Sequence, residues 1–249
     1  MKERPATIRF DSVSKSFGSR KVLDSLSLEI PRGKAYCILG RSGTGKSVTL
    51  KLMIGLLQPD SGQIYIGDRQ ISGMDSQDLA AVRKDMGFLF QNSALFDSIS
   101  VGENVAFPLR RNGDDSEDEI REKVERTLEQ LGLEKEYDKM PSELSGGMRK
   151  RAGLARVLVY EPSILLVDEP SAGLDPITSA EIDELLLNLK AENKVTLVVV
   201  THNIPSARRI GDQLVMLRDG KIAAQGSPED LEQSDDEFVS HFMTAQGGG

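Results

Sequence analysis

Gly40-Arg41-Ser42-Gly43-Thr44-Gly45-Lys46-Ser47 is the stretch that decides the reading of this chain. It follows the apolar run Ala35–Leu39 and opens the run Val48–Leu57. Strand, glycine-rich loop and helix in that order are the context a phosphate-binding P-loop requires. The glycines of Gly40–Gly45 let backbone N–H groups turn inward toward phosphate oxygens, and the helix N-terminus adds its partial positive charge. Lys46 supplies a point charge for β- and γ-phosphates, and the Ser47 hydroxyl is a hard oxygen ligand for Mg²⁺.

Working outward, further β-rich runs fall at Thr7–Val13, Leu23–Ile30, Gln63–Ile66, Met86–Phe90, Ile164–Val167, Thr196–Val200 and Gln213–Leu217. Asp219-Gly220, ahead of Lys221–Ala224, is a type I′ hairpin signal. The runs around Cys37, Val167 and Val198 are apolar without alternation, as strands covered on both faces are. The expectation is a mostly parallel αβ core with an antiparallel sheet built largely from the two terminal regions. Between about 92 and 161 the pattern is helical. Ile120, Val124, Leu128 and Leu131 recur at helical spacing on an otherwise charged segment, and a helix is expected from Ser145 until shortly before Pro162.

Composition sets the limits. The chain has 249 residues, 39% hydrophobic and 28% charged, with a formal charge of −8. It needs no staples to fold at this length, and the acidic balance argues against a nucleic-acid partner. The longest stretch free of Asp, Glu, Lys and Arg, Val195 to Ala207, falls short of the ~20 apolar residues of a membrane span. A single cysteine, Cys37, fits a reducing compartment, and Met1–Pro5 has no secretory pattern. A soluble cytosolic protein is expected.

Ile164–Val167 ends in Asp168-Glu169, at a strand tip where ligands sit in open α/β sheets. Neighbouring residues on a strand face opposite ways. The two acids are therefore expected to do different jobs, Asp168 holding Mg²⁺ through water and Glu169 polarising the water that attacks the γ-phosphate. Leu144-Ser145-Gly146-Gly147-Met148 supplies a second anion-seeking helix start. The basic triplet Arg149-Lys150-Arg151 that follows reads equally as a solvated face.

The P-loop, Gln91, Leu144–Met148, Asp168-Glu169, Asp175 and His202 resemble, in sequence and order, the nucleotide-binding subunit of ATP-binding-cassette (ABC) transporters. The resemblance runs from Thr7 to about Gly226. It implies an α/β fold, an ABC-type P-loop NTPase with a RecA-like core, an antiparallel β subdomain and an inserted helical subdomain. It divides the chain into an ATPase domain (1–226, with 92–161 inserted) and a C-terminal helical tail (227–249). It also implies a head-to-tail homodimer with two ATP molecules between the subunits. Carried over, Phe17 stacks on adenine and Gln91 ligates Mg²⁺ and senses the transport partner. Ser145 and Gly147 complete the partner's ATP site, Asp175 lies across the dimer seam, and His202 contacts the γ-phosphate.

Met148 stands where the signature usually has Gln. With Arg149-Lys150-Arg151, Asn92–Ser98, Glu103–Leu109 and Leu174–Ser179, this narrows the resemblance to the Mla/Mce-type lipid transporters, whose ATPases are MlaF-like. That implies a phospholipid-transport ATPase at the cytoplasmic face of the bacterial inner membrane. The implied partners are an integral-membrane permease, an Mce-type lipid-binding protein and a small cytoplasmic regulatory subunit. Leu95, Phe96 and Phe107 are expected to face the permease. The alternatives are an importer ATPase for another small solute, a soluble ABC ATPase of DNA repair or translation, and a P-loop kinase. The last would leave Ser145–Gly147 unexplained. In the tail, Ser227-Pro228-Glu229-Asp230 and Ser234-Asp235-Asp236-Glu237 both read as helix starts, ahead of an apolar stripe of Phe238, Val239, Phe242 and Met243.

Overall fold

A computed structural model describes residues 6–113, 115–193 and 195–244; Met1–Pro5 and Gly247–Gly249 lie outside them. The chain starts with two long strands, β1 (Ala6–Phe17) and β2 (Arg20–Pro31), then β3 (Ala35–Leu39), the P-loop and helix α1 (Lys46–Met53). β4 (Ser61–Ile66), β5 (Arg69–Gln70), α2 (Ser76–Arg83) and β6 (Met86–Leu89) follow. Between β6 and the next strand the chain is helical: α3 (Val101–Asn112), α4 (Glu117–Gln130), a 3-10 turn (Pro141–Glu143) and α5 (Gly146–Leu158). Then come β7 (Ile164–Asp168), α6 (Pro176–Asn193), β8 (Thr196–Val200), α7 (Ile204–Ile210), β9 (Gln213–Arg218), β10 (Lys221–Gly226), α8 (Pro228–Glu232) and α9 (Glu237–Thr244).

Two sheets organise these elements. The larger has the order β10-β9-β3-β8-β7-β6 and is parallel except for the β9–β10 hairpin. The smaller, β2-β1-β4-β5, is antiparallel. The expectation that both chain ends build the antiparallel sheet is therefore corrected, because its strands are all N-terminal. β9 pairs in parallel with β3, from Tyr36 opposite Gln213 to Leu39 opposite Met216. A two-residue turn at Asp219 (φ 50) and Gly220 (φ 77) then obliges β10 to lie beside β9. The two ends still touch, through Asp24 N–H to Gly220 O at 2.9 Å.

The strand period of two explains the two cores. Ala35, Cys37 and Leu39 join Leu165, Val167, Leu197 and Val199 on the face covered by α3–α7. Tyr36 and Ile38 join Ile164, Leu166, Val198 and Val200 on the face covered by α1 and the antiparallel sheet. Continuing the alternation, Asp168 follows Leu166 onto the α1 side. In α4, a Ser116–Glu119 capping box starts the helix, and Ile120, Val124 and Leu128 are buried; the charges are its solvent face.

The tail helices belong to the first core: Leu231, Val239 and Met243 are buried in it. α8 begins at the Ser227–Asp230 box. α9 begins two residues later than the sequence suggested. Asp236 Oδ1, not Ser234, caps it, accepting from Phe238 N at 2.8 Å and Val239 N at 3.3 Å, since a carboxylate is the stronger acceptor at a positive helix end. Among the described residues no helix is long and apolar enough to cross a membrane.

Candidate nucleotide-binding site

The all-buried strand β3 aims the P-loop at the C-terminal edge of the parallel sheet. Gly45 is required at the start of α1. Its φ is 103, and a Cβ there would stand 2.8 Å from Leu23 Cδ2. At Gly40 a Cβ would meet the Leu217 carbonyl oxygen at 2.7 Å. The Lys46 ammonium is buried within the loop, donating to Gly40 O at 2.8 Å and Arg41 O at 3.2 Å. Burial lowers its pKa, opposed by the nearby Glu169 and Asp168 charges. The Thr44 hydroxyl donates to Arg41 O at 2.9 Å, and the Arg41 guanidinium lies 5.6 Å from the Phe238 ring of α9.

A cavity of about 600 Å³ opens over this loop. Phe17, Ser42, Gly43, Gly45, Lys46, Ser47, Gln91, Glu169 and His202 line it, so five segments distant in sequence converge. Gly40, Arg41 and Thr44, also expected at the nucleotide, are not among its lining residues and instead bond within the loop. Arg20, which sequence reasoning missed, also lines the cavity and donates to Gly43 O at 2.9 Å. Nothing in the sequence marks it, because the contact depends on how the β1–β2 hairpin lies over the loop.

Asp168 and Glu169 diverge. Ser47 Oγ donates to Asp168 Oδ1 at 3.0 Å. Burial raises the Asp168 pKa, partly offset by that bond. Glu169 has a left-handed backbone, φ 49, and its N–H donates to Val200 O at 2.8 Å. Its carboxylate turns toward β8 and lies 2.9 Å and 3.0 Å from His202 Nδ1, with His202 N–H at 3.4 Å. This places Nδ1 to donate a hydrogen bond to the carboxylate.

Ser145 and Gly147 do not line this cavity. Ser145 caps α5 by accepting from Met148 N at 3.2 Å. Gly147 faces α6 of its own chain, where a Cβ would lie 2.5 Å from Thr178 Cγ2. Asp175 accepts from Ile177 N at 3.0 Å, Thr178 N at 3.1 Å and Thr178 Oγ at 2.6 Å; the Thr178 bonds hold its pKa below the ordinary carboxylate range. The basic triplet is not a solvated face. Arg149 is exposed, Arg151 pairs with Glu181 at 2.5 Å, and Lys150 is buried with its ammonium on Gln91 O. Downstream of Gln91, Phe96 and Phe107 are exposed with ring centroids 4.9 Å apart. Leu95, by contrast, packs against the chain's own core.

Residues 23–172 match the sequence pattern of the ABC transporter family. The chain belongs to that family. Over 239 residues it is 42% identical to the probable ribonucleotide transport ATP-binding protein mkl of Mycobacterium leprae, covering 96% of this chain and 69% of that protein. It is 40% identical over 237 residues to MlaF, the intermembrane phospholipid transport system ATP-binding protein of Escherichia coli, covering 95% and 88%. Its structure superimposes on a dimeric ATP-binding cassette bound to ADP and Pi with a TM-score of 0.82 and 33% identity, covering 88% of this chain and 98% of that one. This ABC subunit is thus an ATP-binding, ATP-hydrolysing cassette, of a class that dimerises and works with membrane permeases.

Proposed function

We propose that this cassette powers phospholipid movement between membranes as a homodimer at the cytoplasmic face of a bacterial inner membrane, bound to a permease. The carrying observation is the near whole-length likeness to a phospholipid-transport ATPase, together with the Met148 signature. An Mce-type lipid-binding protein and a small regulatory subunit complete the proposed assembly. The 42% likeness to a protein named for ribonucleotide transport supports the second reading, import of another small solute.

In the proposed site Phe17 stacks on adenine and Gly40–Ser47 wrap the phosphates, with Lys46 exchanging loop carbonyls for phosphate oxygens. The donor set fits Mg²⁺. Ser47 and Asp168 present hard oxygens 3.0 Å apart, with Gln91 on the same cavity. Such a set leaves room for the waters and phosphate oxygens that Mg²⁺ prefers over an all-protein cage. Bound there, the ion would neutralise charge on the β- and γ-phosphates. Glu169 acts as the base: its left-handed turn sends the carboxylate away from Asp168, and the His202 Nδ1–H bond orients it. That leaves His202 Nε2 to donate to the γ-phosphate when protonated. Ser145 and Gly147 serve the nucleotide of the partner subunit.

Glu169→Gln keeps the side-chain shape and removes the base, so ATP binding persists while hydrolysis falls by about 10²–10⁴-fold. Near-normal turnover would remove Glu169 from the mechanism. For the cargo, the complex co-purified with its permease is placed in proteoliposomes carrying labelled phospholipid. ATP-dependent transfer to an acceptor lipid-binding protein is expected. ATPase stimulation by ribonucleotides, sugars or amino acids and never by phospholipid would replace the lipid reading and leave the ATPase intact.

A further inference from the structure

Helix α5 grips the loop that carries Gln91 at successive turns. At Gly153 the helix comes so close that a Cβ would stand 2.7 Å from Ser93 Cβ. Arg156 donates to Ala94 O at 2.7 Å and Ser93 O at 3.3 Å. Ser93 and Ala94 have φ of 58 and 50, two consecutive left-handed residues without a glycine. Such backbone persists only where its surroundings over-determine it.

One turn nearer Ser145, Lys150 reaches further. Its ammonium donates to Gln91 O and lies 3.5 Å from Glu169 O. Only 7% of the residue is exposed, and burial lowers its pKa against the opposing pull of Asp168 and Glu169. Burying an ammonium is costly unless its donors are used, and here both acceptors are backbone carbonyls. Those carbonyls belong to the two loops that bring Gln91 and Glu169 to the cavity. Glu169 is thereby pinned on both sides of its left-handed turn, its N–H on Val200 O and its C=O facing Lys150.

We infer that Lys150 is a positioning residue for hydrolysis, fixing the Gln91 loop and the Glu169 turn to one another from the helix that begins at Ser145. The inference rests on the reading of Glu169 as the base. The Lys150 ammonium donates to backbone carbonyls of the Gln91 and Glu169 loops, and through them it sets where the Glu169 carboxylate points. Displacing a reacting group by about 1 Å costs on the order of 10²-fold in rate, whereas the P-loop cradle, braced by Arg20 on Gly43 O and by Asp168 on Ser47, makes no hydrogen bond to Lys150 and is left in place.

The test is Lys150→Met in the full-length protein, with steady-state ATPase measured against ATP concentration and a fluorescent ATP analogue titrated into the same preparation. The expected result is a kcat roughly 10–100-fold lower. KM and the dissociation constant of the analogue should stay within about threefold of wild type. Lys150→Arg, which keeps the charge and donors, should recover most of the rate. Amide exchange at residues 91–94 should quicken in Lys150→Met while α5 stays protected. A wild-type kcat in Lys150→Met overturns the inference. So does a parallel loss of kcat and nucleotide affinity, or a Lys150→Arg no faster than Lys150→Met. If Lys150→Met does not fold, Lys150→Gln, whose amide still donates to one carbonyl, is read by the same split. Glu169→Gln in the same series separates the two readings. Turnover that survives it removes the base, whereas an inactive Glu169→Gln beside a fully active Lys150→Met removes Lys150 alone.

Discussion

Gly147→Ala separates two demands that fall on one glycine. The signature reading needs a bare backbone that can approach a partner's phosphate, but within its own chain Gly147 already faces Thr178. The added Cβ would lie 2.5 Å from Thr178 Cγ2, about 1 Å inside ordinary contact for carbon atoms. Thr178 cannot simply rotate away, since its Oγ donates to Asp175 Oδ2 at 2.6 Å and its N–H to Asp175 Oδ1 at 3.1 Å. The molecule must either lose that hydroxyl bond, a net ~0.5–1.5 kcal/mol, or absorb the overlap, typically ~1–3 kcal/mol. Alanine returns at most about 1 kcal/mol of helix propensity. A net loss of roughly 1–2 kcal/mol lowers the unfolding midpoint by roughly 2–8 °C for a chain of this size. The assay is thermal unfolding of the subunit without nucleotide, for Gly147→Ala, Thr178→Ser and the double variant. Serine keeps the Asp175 bond and deletes the methyl, so the double variant should regain most of the lost stability. A Gly147→Ala midpoint equal to wild type, or a double variant no more stable than Gly147→Ala, refutes the packing argument. ATPase activity that stays low in the restabilised double variant would place the remaining demand on the approach to nucleotide.

Three further outcomes are expected. Phe96→Asp should weaken permease association and spare nucleotide binding, because Asn104 holds Phe96 through its backbone, at 2.8 Å and 3.0 Å, and the ring is exposed beside Phe107; covering the part of that ring still in water contributes roughly 1 kcal/mol, and an unfolded variant in circular dichroism would make Phe96 core. Lys46→Ala and Ser145→Arg should each be inactive as homodimers, while a mixture forms heterodimers with one intact site that trap labelled ATP; no trapping in any mixture contradicts the shared site. Asp212 is pushed up by burial, but Lys190 and the Ala35 N–H bond hold its pKa below the ordinary value, so its stabilisation is present above about pH 4 and disappears as the pH falls through the depressed value. Asp212→Asn should therefore unfold earlier than wild type at pH 7, with the gap closing in acid; a gap independent of pH would show that charge is not its source.

Much of the site is legible along the chain because its parts are local. A glycine-rich turn after a buried strand, an acidic pair at a strand tip and a serine at a helix start each carry their geometry within a few residues. Gln91, His202 and Phe17 carry no such local pattern, and only the order of motifs along the chain pointed to them. Arg20 escaped even that, since it meets Gly43 O through the packing of one hairpin on one loop.

What the sequence determines by itself is the set of elements: runs of five buried residues at β3, β7 and β8, the capped helices, and the loops that punctuate them. Hydrogen bonding and burial act on neighbours, so periodicity and capping residues suffice to read them. Strand order is another matter. β6 and β7 pair across an intervening helical segment, and β9 joins β3 and not the N-terminal sheet. Pairing between distant strands depends on which faces find cover once the chain collapses. The same holds for Arg149-Lys150-Arg151, three alike in sequence. Each step along a helix turns the side chain by about 100°, so the packing of α5 left Arg149 in solvent, set Arg151 on Glu181 and buried Lys150 between the loops of Gln91 and Glu169. Only the tertiary structure fixed which of the three turns inward, because that is decided by what the helix lies against.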